Sequence, residues 1–319
     1  MTVFSPVKTT VVASETSVRV RHALARLGPL LGLALMCGLL AVLHPRFLEG
    51  ANLVNVARQV SIQAIIGAGM TVVILTGGID LSVGSVLAFS GAIAARLAAD
   101  GLPVSVVLVG ALAVGVTCGV LNGILVAYGR IAPFIATLGS MTAVRGLTLA
   151  FTGGRPITGL GEGFRALGSE WAPILIMICV YAVVWAFLGH TRAGRYIYAV
   201  GSNEEAAWVS GIAVRKIRLL AYSLSGLTAA LGGVVLAARL NSAQPTAGTG
   251  FELDAIAAVV LGGTGLSGGA GGVGGTLVGA LIIGVVNNGL NLINVSSFYQ
   301  QVVKGLVILI AVLLDRGRR

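Results

Sequence analysis

The stretch ILTGGIDLSVGSVLAFSGAIAA, from Ile74 to Ala95, is apolar except for a short interruption near its start. Two adjacent glycines, Gly77 and Gly78, precede an aspartate, Asp80. Glycine can end a helix because it adopts the left-handed conformation at little cost. An aspartate can start the next helix, because its carboxylate accepts hydrogen bonds from the amides two and three residues further on. The sequence therefore predicts a helix that breaks here and begins again.

The composition indicates that this break lies in a membrane protein. Of the 319 residues, 56% are hydrophobic and 10% are charged, and the mean hydropathy is +0.97. A soluble domain is roughly a quarter charged. The 47 glycines lie within apolar runs, where small residues let spanning helices pack closely. We therefore predict an all-α integral membrane protein.

Apolar runs of roughly 17–25 residues can cross a bilayer, and their number predicts about ten transmembrane helices. They cover residues 28–43, 53–76, 82–98, 103–128, 131–151, 171–188, 217–238, 253–266, 273–293 and 299–314. The eighth run is short and interrupted by glycine, so the count could change by one. A single transmembrane domain over 28–314 then lies between polar tails at 1–27 and 315–319, and its longest inner loop covers 190–216.

The distribution of basic residues predicts that both termini are cytoplasmic. Under this topology thirteen Lys and Arg lie on the inner side: Lys8, Arg19, Arg21, Arg26, Arg130, Arg192, Arg195, Arg215, Lys216, Arg218, Arg316, Arg318 and Arg319. Six lie on the outer side: Arg46, Arg58, Arg96, Arg155, Arg165 and Arg239. An excess of Lys and Arg marks cytoplasmic loops. The net charge of +10 therefore reflects orientation, and we predict no nucleic-acid partner.

The chain carries no arrangement of residues typical of an enzyme. Its cysteines, Cys37, Cys118 and Cys179, lie in separate apolar runs with no metal-ligand spacing, and its three histidines are scattered. The phosphate-loop pattern GxxxxGK[ST] does not occur. We therefore predict no catalytic site, no metal and no cofactor bound by this chain.

Two charged residues, Arg145 and Lys304, fall inside predicted spans. Intramembrane charge usually marks function, but both side chains could instead extend to a membrane interface.

A short motif recurs in the two halves of the chain. GGIDLSVG (Gly77–Gly84) and GGTGLSGG (Gly262–Gly269) share the pattern GGxxLSxG, and other short matches follow in the same order. Transporters often contain such repeats and place discontinuous helices at the transport pathway. Glycine-rich apolar sequence also produces chance matches, so the repeat and a coincidence both remain open.

A short cytoplasmic helix is predicted within GSNEEAAWVSGI (Gly201–Ile212). Asn203 suits the N-cap, two glutamates favour the positive end of the helix dipole, and Gly211 suits the residue after the end. A helix of about two turns is marginal in water, so it needs a surface to dock on. Glutamates on its polar face favour a protein partner over a membrane anchor, for which Lys and Arg would be expected.

These motifs resemble the permease subunit of bacterial ABC sugar importers of the ribose/xylose/galactoside type. The resemblance covers about Gly28 to Asp315 and is carried by GMTVVILTGGIDLSVGS (Gly69–Ser85), NGILVAYGRIAPFIATLGSM (Asn122–Met141), GSNEEAAWVSGI and DAIAAVVLGGTGLSGG (Asp254–Gly269). It implies a bacterial inner-membrane permease that pairs with a second permease chain, either identical or related. It also implies a separate cytoplasmic ATPase, which binds ATP and magnesium, and a periplasmic or lipid-anchored sugar-binding protein.

The resemblance also implies roles for particular residues. The coupling helix to the ATPase would comprise Asn203, Glu204, Glu205, Ala206, Ala207, Ser210 and Gly211. The candidates for the translocation pathway include the residues of the helix break, Gly77, Gly78, Asp80 and Ser82. They also include polar side chains of the spans, Asn122, Thr137 and Asn288, and one candidate gate residue, Phe134. The polar candidates could instead bond across helix interfaces, Phe134 could simply pack, and Asp80 could be only an N-cap in a tight turn.

Three other functions stay open at this point. Related permeases carry branched-chain amino acids or other small polar solutes. An ion-coupled secondary transporter would need intramembrane acids, and Asp80 is the one candidate. An intramembrane enzyme is disfavoured because no His, Cys, Ser and acid constellation converges.

Overall fold

The computed structural model of the protein describes residues 15–316, and it is almost entirely helical. The helices of this part of the chain are α1 (Glu15–Leu43), α2 (Gly50–Leu75), α3 (Val83–Ala99), α4 (Val104–Ala127), α5 (Pro133–Thr152), α6 (Glu162–Arg165), α7 (Ala172–His190), α8 (Arg192–Ser202), α9 (Glu204–Val209), α10 (Val214–Leu240), α11 (Phe251–Leu261), α12 (Val273–Leu292) and α13 (Ser297–Arg316). Short 3-10 turns lie at Pro45–Leu48 and Ala166–Gly168, and strands β1 (Ile157–Thr158) and β2 (Ser242–Ala243) form an antiparallel pair.

Six of these helices, α2, α4, α5, α7, α10 and α12, are long and apolar enough to cross a membrane. Shorter apolar helical stretches cover Gly28–Leu43 and Val83–Ala99. The helix boundaries agree with the sequence predictions to within a few residues for most spans. The count of ten spans and the cytoplasmic position of both termini stay predictions; residues 1–14 and 317–319 of the predicted tails lie outside the described residues.

Helix α1 begins at Glu15, upstream of the predicted span at 28–43, and its apolar stretch covers Gly28–Leu43. One predicted boundary is wrong. The eighth predicted span, 253–266, is replaced by α11, which ends at Leu261 because the chain turns at Gly262 and Gly263. Eleven helical residues extend about 16 Å, and this is about half of the hydrocarbon thickness.

Helices α2 and α10 form the centre of the bundle. Every residue of α2 from Val60 to Leu75 is buried, and α10 packs against α2, α3 and α4. Helix α4 approaches α10 very closely at Gly115 and Gly226, where a Cβ on either glycine would overlap the backbone of the other helix. This packing through small residues is typical of spanning helices, because the close approach maximises van der Waals contact.

The contacts of α2 define two ends of the bundle. At one end, the Leu75 carbonyl accepts a hydrogen bond from the Gly269 amide, and Gly201 of α8 packs against both groups. We call this end, which also carries α9, the α9 end. At the opposite end, the side chains of Asn52 and Asn288 bond to each other, and Arg58 pairs with Glu170.

Candidate functional site

Helix α2 ends at Leu75 in the way that the sequence predicts. Gly77 has φ = 77°, in the left-handed region. Its amide donates to the Ile74 carbonyl at 2.8 Å, and the Gly78 amide donates to the Val73 carbonyl at 3.2 Å. This is the Schellman pattern, in which a left-handed glycine allows the free carbonyls of the last turn to be satisfied.

Asp80 lies at the centre of a buried hydrogen-bond network, and its side chain is only 1% exposed. Its Oδ1 accepts from the Ser82 amide at 3.0 Å and from the Ser82 hydroxyl at 2.6 Å. Its Oδ2 accepts from the Ser225 hydroxyl of α10 at 2.8 Å. The Asn122 amide of α4 donates to the Ser82 hydroxyl at 2.8 Å. The carboxylate therefore connects the break to two other helices.

The prediction that Asp80 is the N-cap of the next helix is wrong in one respect. Helix α3 begins at Val83, so Ser82 occupies the cap position, and it makes no side-chain cap bond. The predicted bond to the amide two residues on is present, but the second Asp80 oxygen bonds to α10 instead of an amide of α3. The carboxylate therefore closes a turn and also anchors it to the bundle.

The backbone of the break is also satisfied by neighbouring helices. The Ile79 carbonyl accepts from the Thr137 hydroxyl of α5 and from the Tyr222 hydroxyl of α10, each at 3.3 Å. Buried backbone groups in a membrane protein need such partners because water is excluded. We call residues 76–82, which are held by α4, α5 and α10, the α2–α3 break.

The two copies of the GGxxLSxG motif meet in space. The second copy lies in the turn 262–272 between α11 and α12. Within this turn the Gly269 amide donates to the Leu75 carbonyl at 3.0 Å. The Tyr198 hydroxyl of α8 donates to the Gly271 carbonyl at 3.1 Å. The two copies also approach each other directly, because a Cβ on Gly268 would lie 2.7 Å from the Gly77 nitrogen. Both copies therefore lie at helix breaks that pack against each other at the α9 end.

Helix α8 also packs against this contact, and its closest residue is a glycine, Gly201. A Cβ on Gly201 would overlap the Leu75 carbonyl oxygen and would lie 2.6 Å from the Gly269 nitrogen. No residue larger than glycine fits here unless one of the two breaks moves. Any displacement of α8 therefore acts directly on both breaks.

The predicted short helix is present as α9. The Asn203 side chain accepts from the Ala206 amide at 2.9 Å, as an N-cap does. At the other end, Gly211 has φ = 81°. Glu204 forms an ion pair with Arg218 of α10. Both ends of α9 are thus fixed by the residues that the sequence predicted.

The exposed surface of α9 is more apolar than its predicted site residues suggest. Trp208 is 72% and Val209 is 78% exposed, whereas Ala207 is buried against the chain itself. The predicted coupling-helix residues include Ala207 but not Trp208 or Val209. The omission was avoidable, because large apolar residues in a short polar helix indicate a covered surface.

Other predicted pathway residues do not join the α2–α3 break. Asn288 pairs with Asn52 at the opposite end. Phe134 lies on α5 and is 55% exposed. The structure therefore brings together Gly77, Gly78, Asp80, Ser82, Asn122 and Thr137 of the eight candidates.

The residues of the α2–α3 break are enclosed rather than open to a channel. Thr76, Gly78, Asp80, Leu81 and Ser82 are buried, and Gly77 is the exposed member of the turn. Gly77 forms part of the wall of a groove of about 1110 Å³ at the α9 end, between the α4–α5 turn and the α9–α10 turn. Because most of the break is buried and only Gly77 reaches the groove, this geometry suits a hinge beside the groove better than a surface that contacts solute along its length.

The charged residues inside the predicted spans have partners within the bundle. Arg145 donates to the carbonyls of Pro245 and Ala247 at 2.7 and 2.8 Å. Lys304 pairs with Asp254 of α11 at 2.9 Å, and the Gln63 amide donates to the same carboxylate oxygen at 2.9 Å. Lys304 therefore has an acidic partner on α11, and its position relative to a membrane interface stays a prediction. Sequence reasoning missed Asp254, although a lone lysine in an apolar run needs an acid.

A bundle of long apolar helices with a discontinuous helix and buried polar groups at the break is typical of transporters. The chain belongs to the family of the branched-chain amino acid transport system / permease component, whose model matches residues 52–312.

Among curated proteins, the chain is 54% identical over 301 residues to the ribose import permease protein RbsC of Bacillus subtilis (strain 168), covering 92% of this chain and 93% of the relative. It is 50% identical to RbsC of Escherichia coli (strain K12), covering 91% and 93%. It is 39% identical to the D-allose transport system permease protein AlsC of the same strain, covering 89% of each. No solved structure gives a significant match.

Proposed function

We propose that this chain is the membrane-spanning permease subunit of an ABC importer for a monosaccharide, ribose or a closely similar sugar. The observation that carries the proposal is an identity of 50–54% to ribose import permeases over more than 90% of the chain. The GGIDLS break and the capped α9 helix lie within the similar region and have clear structural roles. We further propose that both termini are cytoplasmic and that the membrane is the bacterial inner membrane.

A second substrate class has a specific observation in its favour. The matching family is described as a branched-chain amino acid transport component. A family description covers many members, however, whereas the relatives at 50–54% identity and above 90% coverage are named for ribose. Sugar is therefore the first substrate class to test, and leucine is the comparison.

The proposed importer needs partners that this chain does not supply. A cytoplasmic ATPase would bind and hydrolyse ATP with magnesium, and its docking point would be α9. A binding protein would deliver the sugar at the opposite end of the bundle. A second permease chain, identical or related, would complete the translocation pathway between the two subunits.

The contacts of α9 suggest how ATPase movement would reach the membrane helices. Helix α9 follows α8 after a single residue, Asn203, and α8 contacts both breaks through Gly201 and Tyr198. The Glu204–Arg218 ion pair connects α9 to α10, which holds the α2–α3 break through Ser225 and Tyr222. A shift of α9 would therefore act on the break by two independent routes.

The substrate class is tested by uptake into proteoliposomes that contain the permease, its ATPase and its binding protein. The panel is labelled ribose, allose, galactose and leucine. We expect ribose to accumulate most strongly when ATP is supplied to the ATPase side. Accumulation of leucine without any sugar would refute the sugar assignment and favour the family's amino acid substrates.

The role of α9 is tested by charge reversal. Glu205→Arg changes an exposed residue of α9 and leaves the Glu204–Arg218 pair intact. We expect it to weaken ATPase binding and to uncouple ATP hydrolysis from uptake. Glu162→Arg makes the same charge change on an exposed residue of α6, beside the opposite end of the bundle, and should leave ATPase binding unchanged. Equal effects of the two variants would contradict the assignment.

A further inference from the structure

A groove beside α9 is lined by several basic residues. None of them belongs to the predicted coupling helix. The basic residues of the groove are Arg130 from the α4–α5 turn and Arg215, Lys216 and Arg218 from the start of α10. Its acidic residues are Glu204 and Glu205. Glu204 and Arg218 neutralise each other, so three cations face one remaining carboxylate.

These three cations are available to a partner. Arg130, Arg215 and Lys216 are exposed, and within residues 15–316 none of them forms a salt bridge. Arg215 lies over the Tyr128 ring, 5.8 Å from its centroid, a cation–π distance that holds the guanidinium in place.

The backbone conformation of Arg130 is unusual. Its φ is 54°, a left-handed conformation that costs a non-glycine residue roughly 1–2 kcal/mol. It follows Gly129, two residues after Tyr128, which is the C-cap of α4. Strain of this kind collects at functional sites, and here it directs an arginine to the groove.

We infer that this basic groove receives an acidic surface of the ATPase subunit, as a second contact region beside α9. The inference rests on the proposed function, because it assigns chemistry to the partner that α9 docks on. The exposed Trp208 and Val209 would enter an apolar socket, and Arg130, Arg215 and Lys216 would face carboxylates beside that socket. Trp and Arg dominate binding energy at many protein interfaces.

The lining of the groove favours a protein over an anionic lipid headgroup. Gly77 lines the groove and belongs to the α2–α3 break, which α4, α5 and α10 enclose. The groove therefore adjoins the part of the chain that the proposed ATPase movement would act on. Glu205 on the same wall also disfavours a negatively charged membrane surface.

The test measures ATPase binding to the full-length permease in nanodiscs of neutral phosphatidylcholine, at NaCl concentrations between about 0.1 M and about 1 M. Arg130→Glu should weaken binding by about fivefold at low salt, and the double variant Arg215→Glu/Lys216→Glu by about tenfold or more. Both should flatten the salt dependence. Arg192→Glu, an exposed charge reversal on α8 outside the groove, serves as the matched control.

Arg130→Gly separates binding from folding. Glycine relieves the left-handed strain, so this variant should unfold at the same temperature as the wild type or higher, and it should still bind the ATPase about threefold more weakly. A purely structural role for Arg130 would give unchanged binding.

The remaining outcomes overturn one proposal or the other. Groove variants that bind like Arg192→Glu, while the wild type binds tightly, would overturn the groove inference and leave the proposed function intact. Groove effects that appear only when the nanodiscs contain phosphatidylglycerol would assign the groove to lipid and would also overturn it. No ATPase binding by the wild type would instead refute the proposed function.

Discussion

Replacement of Asp80 tests whether the α2–α3 break depends on its buried carboxylate. In Asp80→Ala three donors lose their acceptor: the Ser82 amide, the Ser82 hydroxyl and the Ser225 hydroxyl. The hydroxyls can rotate toward other acceptors, but the amide cannot. A buried donor without a partner costs about 1–3 kcal/mol. The two serine hydroxyls also lose part of their hydrogen-bond energy. We therefore expect Asp80→Ala to lower the free energy of unfolding by about 2–4 kcal/mol.

Asp80→Asn separates hydrogen bonding from charge. Its Oδ1 can still accept from the Ser82 amide, and its Nδ2 can donate to the Ser225 hydroxyl, which also accepts. We expect a loss of about 1 kcal/mol in stability. Asp100→Ala is the control, since Asp100 forms a surface pair with Arg96 and pairs of this kind contribute less than about 1 kcal/mol.

The assay compares thermal unfolding in nanodiscs with initial uptake rates per folded permease. The hinge role predicts that Asp80→Ala loses far more uptake than folded protein, and that Asp80→Asn keeps a substantial part of both. If uptake and folded protein fall in equal proportion, Asp80 only closes a turn. If Asp80→Ala is as stable as Asp100→Ala, the reasoning from the buried network is refuted.

Three further predictions concern other contacts. Gly201→Ala should lower the unfolding temperature, because its Cβ would overlap the Leu75 carbonyl. The control Gly189→Ala has open space around its Cβ and should leave the unfolding temperature unchanged. Equal unfolding temperatures for the two variants would contradict the close contact. Lys304→Met should destabilise the protein by about 3 kcal/mol, because it leaves the Asp254 carboxylate without a counter-charge. Adding Asp254→Asn should recover much of this loss, and failure of the double variant to recover would show that packing, and not charge, is lost. Trp208→Ala should weaken ATPase binding by about tenfold without changing thermal unfolding, and unchanged binding would remove Trp208 from the interface.

The sequence predicted local features well because their causes are local. The end of α2 at Gly77 and the cap of α9 at Asn203 depend on residues within one or two turns. The lengths of the apolar runs, and the glycine, proline and polar residues between them, likewise predicted most helix boundaries. The eighth span failed because its run was short and interrupted by glycine, and hydropathy does not distinguish a short span from a half helix followed by a turn.

Contacts between distant segments could not be predicted from the sequence. Asp80 bonds to Ser225, which is 145 residues away, and no local pattern identifies that serine. Asn122 and Asn288 look equivalent in sequence, yet one lies at the α2–α3 break and the other at the opposite end. The two GGxxLSxG segments are far apart in sequence, and only the fold places them in contact.

The measurement that tests the account most directly is sugar accumulation by reconstituted permease under two energy sources. Proteoliposomes contain either the permease with its ATPase and binding protein, or the permease alone. The account predicts that labelled ribose accumulates only in the complete system supplied with ATP, and that it does not accumulate in the permease alone under a proton or sodium gradient. Accumulation by the permease alone under an ion gradient would contradict the account and would make Asp80 the first candidate for ion coupling.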